Sequence, residues 1–268
     1  MMKQISILGC GWLGLPLANS LLKNGFSVKG STTSLEKISL LENHRIQAFQ
    51  IELSETEIRG EINSFLENSE ILIIDIPPKL RSISSENFVK KIQNLIPFIE
   101  KSTVEKIIFI SSVSVYGDDN SIITEATKLQ PDTESGKQLV EAENLLQSNS
   151  NFKTSIVRFG GLIGENRHPI HFLAGRQNLE NPEGPINLIH QTDCIGIIES
   201  IICHTELVEV FNAVAPFHPS RKEYYTQKAI ELGLPLPEFD KEKISVGKTI
   251  LSDKTETILN YKFQNTTL

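Results

Sequence analysis

The sequence predicts an α/β fold: a doubly wound parallel sheet with helices on both faces, joined to a small C-terminal substrate-binding region. Three observations predict it. Short runs rich in isoleucine and valine alternate with longer amphipathic segments as far as Phe159. A glycine-spaced turn joins the first such run to the first amphipathic segment. The 268 residues suffice for one large α/β domain, or for an ordinary domain with a small appendage.

The strand candidates in order are ISIL (5–8), FSVKG (26–30), IQAFQI (46–51), ILIIDI (71–76), KIIFIS (106–111) and TSIVRF (154–159). They are short and rich in Ile and Val, as strands buried on both faces should be. The helical patterns between them are LGLPLANSLLKNG, SLEKISLLENH, EIRGEINSFLEN, SENFVKKIQNLIPFIEK and ESGKQLVEAENLLQ. After Gly164 the texture changes. Residues 165–187 are rich in Gly, Pro, Asn and His and lack a clear period. LIHQTDCIGIIESIICH reads as a loop feeding a buried helix, EVFNAV (209–214) as a strand returning to the sheet, and HPSRKEYYTQKAIELG as a further helix. The chain is therefore divided into residues 1–164, a nucleotide-binding domain, and 165–268, a smaller substrate region interleaved with it.

Hydrophobic residues make up 39% and charged residues 22%, the balance of a soluble globular chain. The formal net charge of -7, with Lys and Arg scattered, argues against a nucleic-acid backbone or an anionic membrane as partner. An anionic ligand must then be held by a local site. Cys10, Cys194 and Cys203 are odd in number and lack metal-ligand spacing, so they read as reduced thiols of a cytoplasmic protein, Cys10 as a small filler. The apolar N-terminus mimics a signal peptide, but Gly9, Gly11, Gly14 and Pro16 interrupt it and Asn19 and Ser20 follow. It falls short of the ~20 apolar residues that span a bilayer, so neither export nor insertion is expected.

ISILGCGWLGLPLA spaces Gly9, Gly11 and Gly14 as G-x-G-x-x-G, directly after a strand and directly before a helix. That is the context a Rossmann-type dinucleotide site requires. Gly9 permits the turn, Gly11 the approach of a diphosphate, and Gly14 close packing of helix on strand. The intervening Cys10, Trp12 and Leu13 complete the loop, and the helix N-terminus offers free N–H groups. The second strand ends in VKGSTTSLEK, without the acid that binds the ribose hydroxyls of NAD. Ser31, Thr32 and Thr33 can bond a 2′-phosphate, and Lys29 or Lys37 can add charge. NADP is therefore the expected cofactor, with NAD the alternative. DIPP (75–78) follows the fourth strand and brings Ile76 and Pro77 to the adenosine side, with Asp75 at the strand end.

The glycine loop, IIFISSVSVYGD (107–118), ESGKQLVEAE (134–143), IVRFGGLIG (156–164) and LIHQTDCIG (188–196) together resemble, in order along the chain, the extended short-chain dehydrogenases/reductases, the NAD-dependent epimerase/dehydratase family. GWLGLPLA, SSVSVYG, T-x-S-G-K and GLIGENRHP are most similar to an atypical bacterial subgroup, the YeeZ-like proteins. The resemblance implies an NAD(P)-dependent oxidoreductase or a nucleoside-diphosphate-sugar epimerase, and a homodimer. It implies that Ser112, beside Ser111, bonds the substrate oxygen. It also implies that Lys137 holds the nicotinamide ribose, being the lysine of the family's Y-x-x-x-K. The tyrosine of that motif falls on Thr133, whose hydroxyl is a far weaker acid than a phenol with a pKa near ~10. Loss of a general acid/base removes roughly 10²–10⁴-fold in rate. Three readings follow: turnover with a substitute proton carrier (Tyr116, His168 or His190), a silent dinucleotide sensor or partner-binding module, or a different reaction on the same scaffold. Tyr116 is the obvious substitute by chain position, although the resemblance makes it a structural part of its turn.

IGENRHPIHFLAGR gathers Arg167, His168, His171 and Arg176 on the loop where the resemblance places substrate contacts. Arginine suits a phosphorylated or nucleotide-sugar ligand. His190 joins this set, and Asp193 reads as the cap of the helix that follows. Arg158 needs a partner that the sequence does not name, and Asn212 and Arg221 are further lining candidates. The histidines have no metal spacing, so no metal is expected.

Overall fold

The computed structural model describes residues 3–78, 86–119, 121–204, 206–240, 242 and 244–267. Seven strands form the central sheet: β1 (Gln4–Leu8), β2 (Ser27–Thr32), β3 (Gln47–Gln50), β4 (Ile71–Ile74), β5 (Lys106–Ser112), β6 (Lys153–Phe159) and β7 (Val210–Ala213). Their spatial order is β7-β6-β5-β4-β1-β2-β3, and every pairing between neighbours is parallel. The order runs outward in both directions from β1 and β4. A crevice must open there, because the connections leave to opposite faces.

All seven strands read from the sequence are present, within two residues at each end. The principal helices are α1 (Gly14–Lys23), α2 (Ile38–Asn43), α3 (Ile62–Leu66), α4 (Phe88–Glu100), α5 (Glu134–Gln147), α6 (Gln191–Cys203) and α7 (Arg221–Glu231), with short helices at Ile170–Leu173 and Asp253–Ile258. Ser85, where the α4 pattern began, lies outside the described residues. The pattern EIRGEINSFLEN is corrected: only its second half is helical, and Ile58–Arg59 pairs antiparallel with Glu52–Leu53. Gly60 is the reason. Its φ of 103° is left-handed, and a Cβ there would lie 2.0 Å from the Gln50 carbonyl oxygen.

One core layer lies between the sheet and α1 and α6, built from Leu17, Leu21, Ile197, Ile198 and Ile201. The other lies against α4 and α5 and contains Phe88, Leu95, Phe109, Leu139 and Leu146. A separate small cluster of Ile163, Ile170, Ile186, Tyr224, Tyr225 and Ala229 holds together the segments after β6 and β7. There Gly161–Ile163 pairs parallel with Leu188–His190.

Two lysines inside the fold have a capping task. Lys29 Nζ donates to the carbonyls of Ser64 and Glu67 at the end of α3. Lys106 Nζ donates to those of Ile201 and His204 at the end of α6, and burial pushes its pKa down to about 8. Both satisfy carbonyls that a helix C-terminus leaves free. Lys29 therefore turns away from the nucleotide side that the sequence suggested for it.

Candidate functional site

A cleft of about 500 Å³ opens where the strand order reverses. Its floor is the loop Gly9–Leu13 between β1 and α1. Gly9 has φ 110°, and a Cβ on it would sit 2.3 Å from the Asp75 carbonyl oxygen. A Cβ on Gly14 would lie 2.2 Å from the Gly9 carbonyl oxygen. Both are therefore locked by their surroundings. Gly11 differs: a Cβ there would meet nothing within 4 Å. It faces open cleft, where a ligand needs the backbone bare.

The loop is braced from β2. Gly9 N–H donates to Ser31 Oγ at 3.0 Å and Cys10 N–H to the Ser31 carbonyl at 2.7 Å. The Cys10 side chain fills the space over Gly30, and burial pushes its thiol up to about 12, so it is inert filler. Among the described residues, nothing accepts the N–H groups of Trp12 and Leu13, and α1 has no side-chain cap. Free donors at a helix N-terminus suit a diphosphate. Asp75, at the end of β4, is packed beneath the loop. Burial raises its carboxyl to about 8, against the opposing pull of the Gly14 N–H and the Arg167 guanidinium.

Thr32, Thr33 and Lys37 line the cleft beyond β2, and Ile76, Pro77 and Pro78 line it beyond β4. Its far end carries Ser111 and Ser112 from β5 and Leu139 from α5. Ser111 Oγ donates to Glu143 at 2.5 Å. Ser112 Oγ accepts the Ser114 N–H at 3.1 Å, which leaves its own hydrogen to donate. A second hollow, of about 430 Å³, lies between α3 and the end of α4 at Asn63, Glu67 and Lys101. It is at the opposite edge of the sheet and has no glycine loop.

Residues 9–187 match the model of a family described as NAD(P)H-binding. The chain belongs to this NAD(P)H-binding family. It is 33% identical over 266 residues to the protein YeeZ of Escherichia coli K12, covering 98% of this chain and 96% of that one. The fold is that of the short-chain dehydrogenases/reductases. A member of that superfamily from Agrobacterium tumefaciens, solved with bound NAD, superposes with a TM-score of 0.80 at 16% identity, covering 98% of this chain and 93% of that one. UDP-glucuronic acid 4-epimerase from Bacillus cereus, in complex with NAD, does so with a TM-score of 0.80 at 19% identity, covering 98% and 92%.

The groups that could hold a dinucleotide are the bare Gly11, the free Trp12 and Leu13 amides, and Thr32, Thr33 and Lys37 on the rim. The proton-transfer residues implied by resemblance are not all brought to the cleft. Thr133 is the exposed N-cap of α5, its hydroxyl accepting the Gly136 N–H at 3.1 Å. Lys137 is also exposed, whereas Leu139 is 3% exposed and lines the cleft. Two residues turn a helix by about 200°, so a face that presents Leu139 inward must present Lys137 outward. The buried stripe Gly136, Leu139, Ala142, Glu143 and Leu146 sets that register.

The substitute proton carriers are also elsewhere. Tyr116 is 1% exposed, donates to Asn212 Oδ1 at 2.9 Å and accepts from Arg158 at 2.7 Å, within the core. His168 Nε2 meets the Tyr224 hydroxyl at 2.9 Å, and its Nδ1 accepts the Ile170 N–H. Burial pushes its pKa down to about 4, so it is a neutral pin between packed segments. His190 is the N-cap of α6, accepting from Thr192 N–H. Arg176 is exposed and away from the cleft, so of the four substrate-side residues only Arg167 lines it.

Asp193, expected as a cap, instead accepts from Tyr261, Gln264 and Asn265 and ties down the C-terminal segment. Asn212 is fully buried. The polar cleft residues that the sequence did not assign to the site are Asp75 and Lys91; the apolar ones are Leu8, Ile51, Leu53, Phe88, Ile110, Leu139 and Leu162, with Pro78. Asp75 had a signal, an acid at the end of a strand otherwise fully apolar. Lys91 and Leu139 had none beyond helical periodicity. Among the described residues no group of three or more metal-binding side chains occurs, and no helix is long and apolar enough to cross a membrane.

Proposed function

We propose that this protein is an NADP-dependent oxidoreductase or sugar-nucleotide epimerase-like enzyme that works without the tyrosine-lysine pair. The observation that carries this is the single cleft joining the bare Gly11 turn to Ser111 and Ser112. When bound, the nicotinamide supplies a hydride donor or acceptor. The preference for NADP rests on the rim after β2, where Thr33 and Lys37 line the cleft and Glu36, the carboxylate of that segment, does not. Ser112 is assigned to donate to the substrate oxygen. The region 165–268, apart from α6 and β7, is assigned to the substrate. The B. cereus neighbour is named for a nucleotide sugar, which makes that class the first to screen.

The second reading, a dinucleotide sensor without turnover, is favoured by Leu139 and by the capping role of Thr133. A hydrophobic side chain at the reacting end cannot move a proton. Fluorescence titration of NADPH and NADH, followed by two turnover assays, separates the readings: nucleotide-sugar-dependent change in NADPH absorbance for net oxidation or reduction, and chromatography of nucleotide sugars incubated with NADP+ for epimerisation, which returns the hydride and leaves the absorbance unchanged. Binding with turnover supports the enzyme. Binding without turnover across the class supports the sensor. Absence of binding overturns both.

A further inference from the structure

We infer that Arg167 is a clamp for the cofactor's diphosphate, carried over the glycine loop from the segment after β6, rather than a substrate residue. The inference rests on the NAD(P) reading above and adds a residue that the glycine motif does not contain. The Arg167 guanidinium carbon lies 4.7 Å from the centre of the Trp12 ring, and both residues line the cleft. A guanidinium held over a ring by this cation–π contact keeps N–H groups to bond two phosphate oxygens. Among the described residues its side chain has no hydrogen-bonded or ion-pair partner, although Arg158 on the preceding strand is fully engaged.

The placement is built from several contacts. Residues 164–167 close a tight turn through reciprocal bonds, Gly164 N–H to the Arg167 carbonyl at 2.9 Å and Arg167 N–H to the Gly164 carbonyl at 3.0 Å. Asn166 in that turn has φ 60°. A Cβ on Gly164 would lie 3.0 Å from the Trp12 ring and 3.2 Å from Gln191. Glycine there makes room for the indole that carries Arg167. Gln191 Nε2 donates to the Trp12 carbonyl at 2.6 Å, which fixes the loop from the other side.

Charge supports the same assignment. A diphosphate over the Trp12 and Leu13 amides needs a cation. The other lining cations are Lys37, on the rim beyond β2, and Lys91, which pairs with Glu86 at 2.6 Å. Arg167 is the cation stacked on the loop itself.

The test is binding without substrate. Arg167 is exposed, so Arg167→Met should melt with the wild type in the absence of nucleotide. Affinities are measured for NADPH, 2′-phospho-ADP-ribose and adenosine 2′-phosphate. If NADH binds tighter than NADPH, then NADH, ADP-ribose and adenosine take their places. The expected result is a loss of about tenfold or more for the two diphosphate ligands in Arg167→Met, a smaller loss in Arg167→Lys, and no change for the fragment without a diphosphate. Unchanged NADPH binding in Arg167→Met overturns the clamp and returns the residue to the substrate. An equal loss for the fragment overturns it in favour of a contact with the adenosine end. Failure of the wild-type protein to bind either dinucleotide would sink the underlying NAD(P) reading, a result distinct from both.

Discussion

Arg158 and Glu143 face each other inside the protein, Nη2 to Oε2 at 2.5 Å, with side chains only 5% and 1% exposed. Arg158 also donates to Tyr116, and Ser111 donates to the same carboxylate. A residue of the cleft is thereby tied to the core pair. Leaving one member of a buried pair alone costs about 3–5 kcal/mol, whereas replacing both by apolar groups is often neutral. Arg158→Met should therefore lower stability by about that amount in urea unfolding, and Glu143→Leu with Arg158→Met by much less. A single-variant loss below about 1 kcal/mol would mean that the pair is not desolvated. Tyr116→Phe should lose about 1–3 kcal/mol and leave nucleotide affinity unchanged.

The three loop glycines should separate under substitution. Gly11→Val adds atoms only to open cleft, so its stability should stay within about 0.5 kcal/mol of wild type while NADPH binding is lost. Gly9→Ala and Gly14→Ala must displace backbone carbonyls at 2.3 and 2.2 Å. They should lower the melting temperature as well as binding. Thermal melts with and without NADPH check both halves, and a Gly11→Val variant that binds normally would exclude the cleft as the nucleotide site.

Asp75 should make stability depend on pH. Its folded pKa of about 8 stands above the ordinary value of 3.8. The folded state therefore keeps a proton that the unfolded chain releases, and the stability this contributes is complete below about pH 4 and lost as pH rises through 8. Asp75→Asn mimics the protonated group. Its melting temperature should match that of wild type near pH 4 and exceed it by several degrees at pH 8.5, at about 2–4 °C per kcal/mol. A difference that is flat with pH would place an ionised carboxylate under the loop.

Thr133→Tyr should not restore catalysis, because position 133 is the exposed cap of α5. Thr133→Ala should instead cost about 1 kcal/mol through loss of the cap, and Lys137→Ala should leave NADPH affinity unchanged. Urea unfolding and the titration used above measure both. A rise in NADPH turnover in Thr133→Tyr would show that the tyrosine reaches the cleft from the cap. Leu139 is the residue of α5 that lines the cleft.

The architecture is legible along the chain. Seven strand patterns became seven parallel strands; in β1, β4, β5 and β6 runs rich in Ile and Val bury on both faces of the sheet, a local property of each run. The Gly9–Gly14 turn is legible too, since G-x-G-x-x-G between strand and helix is a matter of spacing along the chain. Which side chains face the cleft depends on how the layers pack. Lys137 and Leu139 stand two residues apart, and the burial of α5 against β5 turned the leucine inward. Lys29 and Lys106 became helix caps because distant carbonyls needed donors. Asp75 met the glycine loop 61 to 66 residues from it in the chain, and Arg167 met Trp12 across a sheet. Periodicity along a chain carries the burial of a face, but a contact between two faces is set only when the layers pack.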